Sequence, residues 1–136
     1  MVIITGASRG IGKFLLKTYL DLGEDVLGTY NKSKPASNKE IYYKIDITHY
    51  SEVQLFVNDL GSKLTNLTLI NCAGITYNSF THKSDPVKWK SVIETNLIGT
   101  YNIIRALLPI MREQKFGRII NFSSVVAIKP TPGIST

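Results

Sequence analysis

The chain has 136 residues, 16 Lys plus Arg against 10 Asp plus Glu, and a formal net charge of +6. Its composition, 43% hydrophobic and 19% charged, excludes a disordered chain and is enough for one modest core. The single cysteine excludes a disulfide framework, and with two histidines far apart it excludes the usual zinc spacings, so no metal site is expected.

No apolar run approaches the roughly 20 residues of a membrane span, and the first residues carry no basic stretch of the signal-peptide kind. These features set the expectation of a cytoplasmic, soluble domain with no membrane partner. The basic residues are scattered, without a dense run or interleaved aromatics, which argues against a nucleic-acid partner. A small phosphorylated ligand would use the same positive field.

Met1 to Thr5 reads as a β-branched strand running into a glycine-rich turn, Gly6 to Gly12. The spacing Ile11, Leu15, Tyr19, Leu22 predicts one apolar face of a helix that stops near Gly23. Asp25 to Tyr30 predicts a second strand, followed by a polar loop from Asn31 to Asn38. Ile41 to Ile45 predicts a third strand ending at Asp46. Ser51 to Leu60 predicts a helix on Val53, Phe56, Val57 and Leu60, with Ser51 or Thr48 as N-cap.

Leu67 to Ile70 predicts a fourth strand, then a loop to about Ser84. Pro86 suits the first turn of a long helix carrying Val92, Ile93, Asn96, Ile103, Ile104, Leu107, Leu108 and Met111, bent late by Pro109 and ended by Gly117. Arg118 to Phe122 predicts a fifth strand, and the tail from Lys129 a loop. Alternating strands and helices imply an α/β chain, a parallel sheet covered on both faces. Such sheets bind ligands at the carboxyl ends of their strands.

The strongest local motif is Thr5-Gly6-Ala7-Ser8-Arg9-Gly10-Ile11-Gly12, between a strand and a helix. Glycines there let the backbone approach a pyrophosphate, and the helix N-terminus supplies N–H groups and positive dipole. Its form, Gly-x-x-x-Gly-x-Gly, resembles the classical short-chain dehydrogenase/reductase family. Further matches follow in order: Asp46-Ile47, Asn71-Cys72-Ala73-Gly74, Asn96 in Glu94-Thr95-Asn96-Leu97, and Gly117-Arg118-Ile119-Ile120-Asn121-Phe122-Ser123-Ser124-Val125. In style the chain is most similar to 3-oxoacyl-[acyl-carrier-protein] reductases.

The resemblance implies a Rossmann-type doubly wound parallel sheet and a nicotinamide cofactor. It assigns cofactor contacts to Gly6, Ser8, Arg9, Gly10, Ile11, Gly12, Asn31, Lys32, Ser33, Asp46, Ile47, Asn71, Ala73 and Gly74, with Asp46 at the adenine. Between Gly28 and Lys34 there is no acid to hold a ribose 2′-hydroxyl, while Arg9 and Lys32 would pair with a 2′-phosphate, which favours NADP(H) over NAD(H).

The same resemblance gives catalytic roles to Ser124, bonded to the substrate oxygen, and to Asn96, positioning a water in a proton relay, while Ser123 is structural. The substrate is then a small carbonyl or alcohol compound, and the full-length protein a homo-oligomer. Cys72 replaces the family's second Asn and is expected to pack in the core. His49 and His82 are expected at the surface.

The family's proton donor is a Tyr with a Lys four residues later. Tyr30 and Lys34 have that spacing but precede the serine and belong to the adenine end. The family's Tyr falls at or just beyond Thr136. Residues 1–136 are therefore expected to be an N-terminal portion, truncated after the fifth strand and inactive alone. The alternatives are a non-catalytic nucleotide-binding domain and a domain that dimerises through its long helix.

Overall fold

The computed structural model describes residues 1–33, 35, 41–129 and 132–133. Its frame is a parallel five-stranded sheet in the order β3-β2-β1-β4-β5. The strands are β1 (Val2–Thr5), β2 (Val26–Tyr30), β3 (Tyr42–Lys44), β4 (Thr68–Asn71) and β5 (Arg118–Asn121). The chain starts in the middle, builds outward to β3, then crosses back to place β4 and β5 on the other side of β1. The strand order therefore reverses between β1 and β4, where an open α/β sheet forms a crevice at the strands' carboxyl ends.

Side chains alternate across the sheet, and both faces are covered at β1, β2 and β4. Ile3, Leu27 and Leu69 face one core with Val53, Phe56, Leu60, Ile103, Leu107 and Met111. These come from α2 (Tyr50–Leu60) and α4 (Thr100–Glu113). Val2, Ile4, Val26 and Ile70 face the other core with Ala7 and with Leu16 of α1 (Gly10–Asp21). Asp85 caps α3 (Pro86–Ile93), its carboxylate accepting the amides of Val87 and Lys88. A π-helical stretch, Glu94–Gly99, joins α3 to α4.

Three local expectations need correction. The apolar face expected for α1 holds in its middle, where Leu15 and Tyr19 pack against the core, but fails at its ends: Ile11 and Leu22 are 57% and 69% exposed, while Gly12 and Leu16 are buried. The cause at the start is Gly12, where a Cβ would stand 2.5 Å from the Gly6 carbonyl oxygen. Helix and turn meet there backbone to backbone, a contact that a count of apolar residues does not register. Neither Ser51 nor Thr48 caps α2: the helix begins at Tyr50, which makes His49 its N-cap, without a side-chain cap bond, while Thr48 donates its hydroxyl to Asp46.

The long helix ends before Gly117, with Lys115 in the left-handed region at φ 53°. Gly117 instead makes room for Met111, whose side chain would lie 2.7 Å from a Cβ. Pro109 sits inside α4 without ending it. β5, where Ile119 and Ile120 are exposed, is one edge of the sheet among the described residues, and β3 is the other. Lys34 and the last three residues of the tail lie outside the described residues. Among the described residues no helix is long and apolar enough to cross a membrane.

Candidate functional site

Two clefts open at the carboxyl ends of the strands. The first is built around the turn from β1 to α1. Gly6 adopts φ +67° and lies so close to the exit of β4 that a Cβ would meet Ala73 Cα at 2.7 Å. Gly10 adopts φ +55° and faces open space, with nothing within 4 Å of where its Cβ would be. Arg9 precedes α1 without a side-chain cap bond, and no acid stands in the first turn. The leading amides of a helix have no intrahelical acceptor, so this end offers N–H groups and positive potential to an anion.

This cleft, about 850 Å³, is lined by every residue of the expected cofactor set except Asn71. Tyr30, expected at the adenine end, lines it too, while sequence reasoning missed several of its walls, among them Thr29, Ile45, Ser91, Glu94 and Thr95. Glu94 and Thr95 open the π-helical stretch. They belong to the Glu94-Thr95-Asn96-Leu97 motif, which is the one signal that pointed to them.

Asp46 organises the cleft's outer end. Its Oδ1 accepts the Thr48 amide at 3.0 Å and the Thr48 hydroxyl at 2.8 Å, and its Oδ2 accepts Asn31 Nδ2–H at 2.7 Å. Its own amide donates to Glu52 Oε2 at 2.8 Å, and Glu52 Oε1 lies 3.4 Å from His49 Nδ1. Burial alone would push the Asp46 carboxyl up, but the Thr48 and Asn31 hydrogen bonds and the His49 charge outweigh it and hold the group below its usual value. The loop is fixed from beneath by buried Asn102 of α4, whose Nδ2 donates to the carbonyls of Ile47 at 2.9 Å and Thr48 at 3.2 Å.

The second cleft, about 830 Å³, shares the wall Cys72 to Ile75 with the first and collects Asn71, Asn96, Asn121, Ser123 and Ser124. Thr5, fully buried, holds the shared wall through its Oγ, which accepts the amides of Cys72 at 3.2 Å and Ala73 at 3.1 Å. Asn71 donates Nδ2–H to Asn121 Oδ1 at 2.8 Å across the β4–β5 register. Cys72 packs partly against the α1-side core, and burial pushes its thiol up, away from the thiolate that reactivity needs.

Asn96 ties its side chain to the shared wall. Its Oδ1 accepts the Ile75 amide and its Nδ2 donates to the Ile75 carbonyl, both at 2.9 Å. Its carboxamide is thus a clamp between the π-helical stretch and the shared wall, 21 residues apart in the chain. Ser124 is exposed, and its Oγ accepts the Val126 amide at 3.3 Å. No tyrosine or lysine is among the described residues lining this cleft, whereas Tyr30 lines the first. His49 and His82 are exposed, as expected.

Known proteins share this arrangement. The chain is 33% identical over 132 residues to an acetoacetyl-CoA reductase of Paracoccus denitrificans, covering 92% of this chain and 54% of that protein. It is 34% identical over 143 residues to a 3-oxoacyl-[acyl-carrier-protein] reductase of Staphylococcus aureus, covering 96% and 58%. It thus spans little more than half the length of these relatives. The ligand-free aldohexose dehydrogenase of Thermoplasma acidophilum superposes with a TM-score of 0.89 at 28% identity, over 98% of this chain and 53% of that one. ElxO with NADP bound superposes with a TM-score of 0.86 at 27% identity, over 98% and 58%. The short chain dehydrogenase family profile matches residues 1–136. With its sheet order, glycine turn and paired clefts, the chain belongs to the short chain dehydrogenase family.

Proposed function

We propose that this chain is the cofactor-binding portion of an NADP-dependent oxidoreductase that moves hydride between NADPH and a small carbonyl or alcohol compound. The observation that carries the cofactor choice is the first cleft's rim. Arg9, Asn31, Lys32 and Ser33 line it together, and no carboxylate stands at the exit of β2 where a ribose 2′-hydroxyl would be held. ElxO and the closed serine dehydrogenase are structural neighbours whose solved forms hold NADP or NADP+. The residues fit the group: Gly10 leaves open space beside uncapped amides, and Arg9 and Lys32 both line the cleft as cations for a third phosphate.

The nicotinamide, when bound, supplies the hydride. The pyrophosphate would rest on the Gly6 to Gly12 turn, with Ala73 and Gly74 forming the opposite wall. Ser124 Oγ accepts the Val126 amide, so its own hydrogen is free to be donated to a substrate oxygen and to stabilise charge developing there. Asn96 acts by fixing Ile75, and through it the wall between cofactor and substrate. The proton donor of this reading is the Tyr-x-x-x-Lys pair implied by the family resemblance; residues 1–136 taken alone should bind cofactor without turning substrate over.

The same reading includes a cytoplasmic, homo-oligomeric full-length protein; the exposed Leu97, Ile98, Tyr101 and Leu108 on the long helix support the association. The test is a titration of the chain with NADPH and NADH followed by nicotinamide fluorescence. NADPH should bind roughly tenfold or more tighter, the worth of one or two charge-assisted phosphate contacts. Replacing both Arg9 and Lys32 with Ala should erase the difference. Equal binding of the two, or tighter NADH, would overturn the cofactor choice.

A further inference from the structure

The outer wall of the first cleft is the segment from Ile45 to Thr48, just past the edge strand β3. Main-chain bonding to the sheet runs as far as Ile45, whose amide donates to the Tyr30 carbonyl at 2.9 Å. Beyond it the wall leans on α4. Asn102 is 6% exposed, and its Nδ2 donates to the carbonyls of both Ile47 and Thr48. Gly99, three residues earlier, leaves the room that Ile47 fills: a Cβ there would stand 2.6 Å from Ile47 Cγ1 and 2.7 Å from its Cδ1. Arg105, three residues later, lays its guanidinium over the Tyr50 ring, 4.5 Å from the centroid.

Gly99, Asn102 and Arg105 recur at helical spacing, so they form one stripe keyed to residues 47–50. The middle position is the informative one. Asn102 shares its helix with buried Ile103, Leu107 and Met111, and a carboxamide buried in such company is costly unless it is bonded. An apolar side chain would suit packing alone. The carboxamide instead fixes the main chain that carries Asp46, Ile47 and Thr48 into the cleft, although neither Asn102 nor Gly99 lines the cleft itself.

We infer that Asn102 is a positioning residue for the cofactor: from α4 it holds the wall from Asp46 to Thr48 in place, and so sets affinity without touching the ligand. This inference rests on the cofactor reading above. The Gly6 to Gly12 turn, by contrast, is carried by β1 and α1. Loss of the Asn102 donors should therefore loosen one end of the site and leave the other as it is.

Asn102→Leu keeps an apolar fit and the helix but removes both donors. NADP+ would be titrated into the wild-type chain and the variant, with affinity read by calorimetry and the induced shifts of the backbone amides read at saturation. The variant should bind about three- to thirtyfold more weakly, the range of one or two net hydrogen bonds. Binding should still induce the wild-type shifts at Gly6 to Gly12, and altered ones at Asp46 to Thr48. Gly99→Ala crowds Ile47 from the same stripe and should give the same pattern; it carries the test if the leucine variant does not fold. A merely structural Asn102 would lower the urea midpoint and leave the affinity of the folded chain unchanged. That result, or shifts altered equally at both ends, overturns the inference and leaves the cofactor reading standing. A wild-type chain that binds no NADP+ overturns both.

Discussion

Thr5→Val is the sharpest perturbation of the scaffold beneath the two clefts. Thr5 is fully buried at the end of β1, and its Oγ is the acceptor for the amides of both Cys72 and Ala73. Valine keeps the shape and the β-branch but removes that acceptor, stranding two donors. An unsatisfied buried donor costs about 1–3 kcal/mol, and relief of the hydroxyl's own desolvation offsets part of the sum, so a net loss of about 2–4 kcal/mol is expected. Thr5→Ser keeps the oxygen and loses one methyl, worth about 1 kcal/mol. Urea unfolding followed by circular dichroism would measure both. With a slope of about 1–3 kcal/mol per molar, the valine midpoint should fall by roughly 1–2 M, well below that of the serine variant. A Thr5→Val midpoint equal to or above that of Thr5→Ser would refute the assignment of the hydroxyl as the clamp.

Gly12→Ala would place a Cβ 2.5 Å from the Gly6 carbonyl oxygen, so a loss of about 2 kcal/mol or more in urea stability is expected. Asn96→Ala frees both the amide and the carbonyl of Ile75; a stability loss of about 1–2 kcal/mol is expected, together with faster hydrogen exchange at the Ile75 amide. For Asp46 the folded carboxyl titrates below its ordinary value of 3.8, so its stabilisation is present above that value and is lost as pH falls through the folded pKa. The acid-side decline in stability, measured by urea unfolding between about pH 5 and pH 2, should be shallower in Asp46→Asn.

The parts legible in the sequence were those written in short, contiguous runs. The β1 run and the glycine turn are neighbours in the chain, and the turn's residues meet in one cleft because a strand-turn-helix brings them there directly. The helix start at Pro86 was equally local. What escaped notice depends on partners far along the chain. Thr5 reaches Ala73 across 68 positions, and Asn102 reaches Ile47 across 55. Asn96 was recognised as special, but its clamp on Ile75 follows from how the π-helical stretch is seated, which no spacing rule encodes. The start of the α1 face departs from expectation because its closest contact is made by a glycine, which carries no hydrophobic signal, while Leu15 and Tyr19 further along do pack on the core.

Backbone amide shifts recorded while NADP+ is added to the isotope-labelled chain test the central claim, that the first cleft is the dinucleotide site, most directly. Shifts should concentrate at Gly6 to Gly12, Asn31 to Ser33, Asp46, Ile47, Ala73 and Gly74, with NAD+ producing the same pattern at higher concentration. Shifts confined to β5 and the exposed face of α4, or none at millimolar cofactor, would contradict it.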